Sequence, residues 1–191
     1  MGLTFKQVDT TADIASTARI ADEIWHEYWP EIIGKAQTDY MVDTMQSVEP
    51  IARDIALHGY RYYLLYDENG TCVGYTAARP EDATGHTDDP AFRTHGTKIN
   101  EILPRKRLFI SKIYLYANER GKHYSSRVLE FYEKMCADEG MEGMYLTVNR
   151  DNKLGIRAYL GRGFDIIEEV DADIGQGFVM TDHIMEKTLG R

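Results

Sequence analysis

Thiols are scarce in this chain: its 191 residues include two cysteines, Cys72 and Cys136. Neither stands in a metal-ligand spacing or a catalytic signature. A zinc centre and a cysteine nucleophile therefore have no support, and buried free thiols are expected in place of a disulfide. Long apolar runs are also missing. None approaches the length that spans a bilayer, and the N-terminal residues lack the basic stretch and apolar core of a signal peptide. The cytoplasm is the expected location, with no membrane partner. No repeat and no low-complexity tract occurs. Positive charge is the minority sign: 22 Lys and Arg against 31 Asp and Glu leave a net charge of -9. Such a surface repels phosphate backbones, which argues against nucleic-acid binding. The same surplus modestly favours cationic substrates such as amines, although solubility alone accounts for it.

What is present suits one globular domain spanning residues 1–191. Hydrophobic residues make up 43% of the chain, enough for a substantial core at this length. Leu3–Val8 alternates like a half-buried strand. Thr10 or Thr11 can cap the helix that follows, with Asp13 suited to its dipole and Ile14, Ala18, Ala21, Trp25 and Tyr28 on one stripe. Pro30 and Gly34 interrupt that pattern. A second helix is predicted after Thr38, with Met41, Met45 and Val48 on one face, and Pro50 suits the first turn of another. Tyr60–Tyr66 reads as a strand, Asp67–Gly70 as a turn and Cys72–Ala78 as the return strand. Residues 81–104 read as a long polar loop with a short helix near its end.

Leu108–Tyr116 has apolar residues on both faces, as a covered central strand does. Ser125 or Ser126 leads into a helix whose buried stripe is Val128, Leu129, Tyr132 and Met135, stopped by Gly140. A strand at Met144–Val148, a helix from Asn152, and strands at Ile166–Val170 and Phe178–Leu189 joined by Asp173–Gly177 complete the chain. This order implies a mixed α/β (α+β-like) fold, one sheet with helices on both faces.

Two stretches carry a more specific signal. One is Asn152-Lys-Leu-Gly-Ile-Arg-Ala-Tyr-Leu-Gly-Arg-Gly-Phe164, directly behind a strand. The other is Leu108–Tyr116 followed by Ala117-Asn-Glu-Arg-Gly-Lys122 and a helix. Together, over roughly Leu108–Leu189, they resemble the GNAT superfamily of acyl-CoA-dependent N-acyltransferases. The N-terminal half, with its Trp-rich helix end, is more loosely similar to the bacterial polyamine and diamine acetyltransferases.

The resemblance implies a mixed sheet splayed at two parallel strands, Leu108–Tyr116 and Met144–Asn149, with acetyl-CoA inserted between them. It implies that backbone groups of Ile113, Tyr114 and Leu115 bind the pantetheine arm. It also implies that Arg120, Gly121, Lys122, His123, Tyr124, Ser125 and Ser126 form the pyrophosphate turn. Unpaired amides and the positive end of a helix dipole attract phosphate there. His123 and Ser125 stand where the family has Gly and Gly or Ala; His is among the few other residues tolerated at positive φ. Tyr159 falls where the family Tyr lies close to the thioester sulfur and donates to the departing thiolate. Asn152 matches a cofactor-contacting Asn and is also a good helix N-cap. Gly155 replaces the commoner Ala.

Phe109 occupies the position where many family members carry a general-base Glu, so the base is not assigned. Trp25, Glu27, Tyr28 and Glu31 border the family's acceptor site, where acids and aromatic rings suit an amine. Asp182 and His183 are further candidates. Arg105-Lys-Arg107 and Glu168-Glu169 read as solvated charge. The expected activity is direct transfer of an acetyl group from acetyl-CoA to a primary amine, small or peptidic, with no metal. The alternative is a non-catalytic acyl-CoA-binding sensor of the same fold. A homodimer remains open.

Overall fold

Helix formation at the N-terminus begins with a side chain. Thr10 Oγ1 accepts the Asp13 backbone N–H at 3.1 Å and donates to Asp13 Oδ2 at 2.8 Å. This cap starts α1 (Thr11–Tyr28) after the first strand, β1 (Leu3–Gln7). The computed structural model describes residues 2–81 and 106–190. The loop expected at 81–104 thus lies, after Glu81, outside the described residues, as does Arg105.

Seven strands form one sheet in the order β1-β2-β3-β4-β5-β7-β6. They are β1, β2 (Arg61–Asp67), β3 (Cys72–Glu81), β4 (Arg107–Leu115), β5 (Gly143–Asn149), β6 (Asp165–Gly175) and β7 (Phe178–Thr188). The β4–β5 pair is parallel, and the β1–β2, β2–β3, β5–β7 and β6–β7 pairs are antiparallel. The parallel ladder joins Arg107–Ile110 to Gly143–Leu146. Both strands run on beyond it, to Leu115 and to Asn149.

Two compact units divide the chain, Met1–Ala78 with Lys112–Leu129, and Arg79–Ser111 with Glu130–Arg191. In the first, Ile20, Ile24, Trp25, Ile51, Tyr62, Leu64 and Tyr75 are buried. Ile20 and Ile24 extend the inner face of α1, while Ile14 and Tyr28 are half-buried. A short α2 (Pro30–Ile33) ends at Gly34, whose φ of 81° redirects the chain within one residue. Consequently α3 (Lys35–Met41) starts earlier than the predicted site after Thr38, which is an interior residue bonded to Gly34 O.

A π-helical turn at Val42–Gln46 follows, then α4 (Val48–Leu57). The wider turn shifts the helical phase. Gln46 points inward and accepts the Tyr75 hydroxyl at 3.0 Å, whereas Val48 is exposed. Neither Met45 nor Val48 is therefore a core residue as the sequence pattern suggested.

The fifth helix, α5 (Tyr124–Glu139), begins one residue before Ser125 and spans both units. Its buried stripe is Val128, Leu129, Tyr132 and Cys136. Cys136 replaces the expected Met135 because 128, 132 and 136 repeat every four residues. Helix α6 (Lys153–Leu160) follows β5. The β6–β7 hairpin is longer than predicted. Its strands reach Gly175 and Phe178 around the two-residue turn Gln176-Gly177, both at positive φ as a type I′ turn requires.

Arg107 corrects the reading of a solvated basic run. It is 1% exposed, with Nη2 at 3.1 Å from Glu186 Oε1. Parallel pairing with Gly143 draws the first residue of β4 into the sheet, and a Cβ at Gly143 would meet Arg107 Cζ at 3.2 Å. Glycine avoids that contact and a closer one, at 2.6 Å, with the Lys187 carbonyl oxygen.

Candidate active site

In the first unit, β3 and the end of β4 approach unusually closely. A Cβ placed on Gly74 would lie 2.1 Å from Tyr114 O. Thr76 Oγ1 donates to Lys112 O at 2.6 Å, and Tyr116 N donates to Val73 O at 3.1 Å. These contacts fix the backbone of Ile113, Tyr114 and Leu115. The Tyr114 ring packs between Trp25 and Tyr75, with centroids 5.3 and 5.4 Å away.

A 3₁₀ turn at Ala117–Glu119 then leads to Arg120 and into α5. Gly121 has φ 76°, and nothing lies within 4 Å of a Cβ built there. His123 has φ 62°, so the chain takes the left-handed turn at a position where the family uses Gly. The Arg127 N–H bonds to His123 O at 3.2 Å, leaving the amides of Tyr124, Ser125 and Ser126 ahead of the helical ladder. Left-handed residues, leading amides and the Arg120 and Lys122 cations form an arrangement that fits an anion such as pyrophosphate. Lys122 is also paired with Glu119 at 2.9 Å.

The four residues proposed to line the acceptor site fall in this same unit. Trp25 is only 3% exposed and belongs to the core. Tyr28 is half-buried and carries the Arg120 guanidinium 4.1 Å from its ring centroid. Glu27 and Glu31 are exposed, and Glu27 accepts the Ala117 N–H at 3.3 Å.

The second unit holds Asn152 and Tyr159. Asn152 caps α6: its Oδ1 accepts the Gly155 N–H at 3.0 Å. A Cβ at 155 would meet Asn152 Nδ2 at 2.8 Å, so the capping side chain lies closely over Gly155. Tyr159 lies on the last turn of α6, and its carbonyl accepts the Phe164 N–H at 3.2 Å. Gly163, at φ 81°, turns the chain so that Phe164 packs on the Tyr159 ring at 5.8 Å. Burial raises the Tyr159 phenol to about 12. It is thus protonated, and a hydrogen-bond donor, throughout the neutral range.

Two further features concern the missing general base. Phe109 stacks on Tyr145 at 4.9 Å. The Tyr145 hydroxyl donates to Glu81, whose other oxygen takes the Arg79 Nε–H at 2.8 Å. This buried carboxylate was not legible: the sequence pattern ended the strand at Ala78, and an Arg-Pro-Glu run carries no signature. Asp182 is buried on β7, opposite Asn149. Desolvation raises it to about 6, against the opposing pull of Arg150 and a hydrogen bond from Thr147. His183 is half-buried, with Nδ1 at 3.5 Å from Glu169. Among the described residues no group of three or more His, Cys, Asp or Glu could hold a metal, and no helix is long and apolar enough to cross a membrane.

The family model described as Acetyltransferase (GNAT) family matches residues 20–164. The chain belongs to the GNAT acetyltransferase family. Its reaction class is accordingly acetyl transfer from acetyl-CoA to an amine. No curated protein matches this GNAT acetyltransferase by sequence.

Its fold is similar to those of several solved structures. One is the PaiA N-acetyltransferase from Thermoplasma acidophilum in complex with coenzyme A (17% identity, 99% of this chain and 100% of that one, TM-score 0.70). A second is a GCN5-related N-acetyltransferase from Rhodopseudomonas palustris (15% identity, 98% and 95% covered, TM-score 0.68). A third is NAA60 from Arabidopsis thaliana in complex with a bisubstrate analogue (12% identity, 98% and 98% covered, TM-score 0.64). At these identities the likeness concerns the fold.

Proposed function

We propose that this GNAT enzyme is a single-domain, cytoplasmic N-acetyltransferase whose acceptor is a small cationic primary amine, of the polyamine or diamine kind. Acetyl-CoA lays its pyrophosphate on the amides of Gly121–Ser126, and its pantetheine arm along Ile113–Leu115. Asn152 and Tyr159 serve the thioester end. The acetyl-CoA supplies the activated carbonyl; the chain supplies position, a donor for the leaving sulfur, and a route for the amine proton. The single observation that carries the cofactor assignment is the left-handed geometry of Gly121 and His123 at the start of α5. The net charge of -9 supports the cationic acceptor.

Two measurements test this reading. Calorimetry with CoA tests the cofactor site, and free-thiol release from acetyl-CoA across a library of diamines, polyamines, aminoglycosides and N-terminal peptides ranks the acceptors. Preference for peptides over every small amine would displace the acceptor assignment. Binding without thiol release on any amine would favour the sensor reading.

Among the carboxylates, Asp182 is the proposed proton acceptor, because its proton affinity sits close to neutral pH. Its raised value also has a stability consequence with a fixed sign. Below about pH 3 the group is protonated, folded and unfolded alike, and costs nothing. Between its ordinary 3.8 and its folded value of about 6, stability falls, by about 3 kcal/mol in total. Asp182→Asn is therefore expected to stabilise the fold by about 2–3 kcal/mol at pH 7.5, with the gain vanishing near pH 3. Melting curves across pH check this. If Asp182 also takes the amine proton, the same variant is more stable and less active, and the alkaline rise of the rate is altered. A stabilised variant with wild-type kcat at every pH removes Asp182 from the chemistry.

A further inference from the structure

The last two turns of α1 grip the segment joining β4 to α5 at three points. Glu23 accepts the Tyr116 hydroxyl, Glu27 accepts the Ala117 N–H, and the Tyr28 ring faces the Arg120 guanidinium. Residues 23 and 27 lie one turn apart on α1, residue 28 follows about 100° further round the helix, and their contacts advance along the segment in the same order. Arg19 backs the first grip at 2.6 Å from Glu23. Lys122 holds Glu119 at 2.9 Å, so the acid within the segment is already engaged. Arg120 is the cation that opens the turn, and among the described contacts its guanidinium lies on Tyr28, 4.1 Å from the ring centroid.

We infer that Tyr28 is a positioning residue for acetyl-CoA: its ring holds Arg120 against α1, pre-set at the phosphate turn. This rests on the reading of residues 120–126 as the phosphate site. A free arginine surrenders much of its rotamer freedom when it binds an anion. A guanidinium already stacked on an aromatic face has surrendered it beforehand, and stacking leaves the edge N–H donors available. The gain is pre-organisation of the cofactor site. Tyr28 lies in the segment that borders the family's acceptor site. The geometry assigns it to the cofactor side, with an effect on acetyl-CoA and not on the amine.

The test uses the full chain with CoA itself as the probe. Tyr28→Leu keeps apolar bulk but loses the ring face, and Tyr28→Phe keeps the ring. Tyr28→Leu is expected to weaken CoA binding about three- to thirtyfold, the range of a cation–π contact. The acetyl-CoA KM should move in parallel, and the amine KM should not. Tyr28→Phe should stay within about twofold of wild type, by the same argument. In an Arg120→Ala background, Tyr28→Leu should add nothing, because the two residues act as one device. A purely structural Tyr28 would shift the melting temperature without this cofactor-specific split.

Additive effects in the double variant overturn the inference, as does a Tyr28→Leu protein whose amine KM alone changes. Unchanged CoA affinity in Tyr28→Leu, with wild-type protein that binds CoA, overturns the inference and leaves the phosphate reading standing. Wild-type protein that binds no CoA overturns both.

Discussion

Tyr159→Phe is expected to lower kcat about 10²–10³-fold while leaving CoA affinity nearly unchanged. The ring and its contact with Phe164 survive the substitution, and only the hydroxyl is lost. The magnitude follows from how the phenol acts. Burial holds Tyr159 at about 12, whereas an ordinary thiol sits near 8.5. Handing a proton outright to the thiolate is then uphill by roughly 4–5 kcal/mol. In the proposed role, the phenol therefore acts as a fixed donor to a sulfur that gains charge as the C–S bond breaks, not as an outright acid. A pre-organised donor of this kind, aimed at developing charge, sets the expected loss.

The hydroxyl stays protonated until about pH 12, so Tyr159 adds no descending limb to the rate profile below about pH 11. Rate measurements should be made with chemistry limiting, alongside melting curves and calorimetry on the same protein. A folded Phe variant with near-normal kcat would leave solvent as the proton source and remove Tyr159 from the mechanism.

The hydrophobic pattern made much of this fold legible. Alternation marked β1, aromatic and Leu enrichment marked β2, and the Thr10 and Asn152 caps placed two helix starts within a residue. Family resemblance added what periodicity cannot carry: a turn bound through backbone amides leaves almost no side-chain trace. The positions that went astray have physical reasons. The π-turn at Val42–Gln46 changes the helical phase, so a 3.6-residue period points to the wrong inner residue. Arg107 reads as a solvated cation until its pairing with Gly143 is known, because burial of an arginine depends on a distant Glu186. Glu81 and Tyr145 lie 64 positions apart, and nothing local announces their hydrogen bond. The grip of Glu23, Glu27 and Tyr28 on residues 116–120 is of the same long-range kind.

Gly74→Ala is expected to show how closely this fold and its cofactor site depend on each other. Gly74 sits in β3 at φ 154°, and an added Cβ would lie 2.1 Å from Tyr114 O and 3.0 Å from Leu115 Cα. Those partners are main-chain atoms, so no rotamer change relieves the clash; the β3 and β4 backbones must part. Overpacking of this kind costs about 1–3 kcal/mol, and the imposed backbone conformation about 1–3 kcal/mol more. A total near 4 kcal/mol lowers the melting temperature of a chain this size by about 8–16 °C.

The displaced atoms belong to Tyr114 and Leu115, the stretch proposed to hold the pantetheine arm. CoA affinity should therefore fall even at temperatures where the variant is fully folded. Ala77 supplies the control: it is fully buried in the same strand. Ala77→Gly weakens β3 through chain entropy and lost packing, without pushing β4. At matched destabilisation, Gly74→Ala should lose CoA binding and Ala77→Gly should keep it. Equal CoA affinity in the two folded variants would detach the pantetheine assignment from Ile113–Leu115, and the Gly74 contact would then concern sheet packing alone.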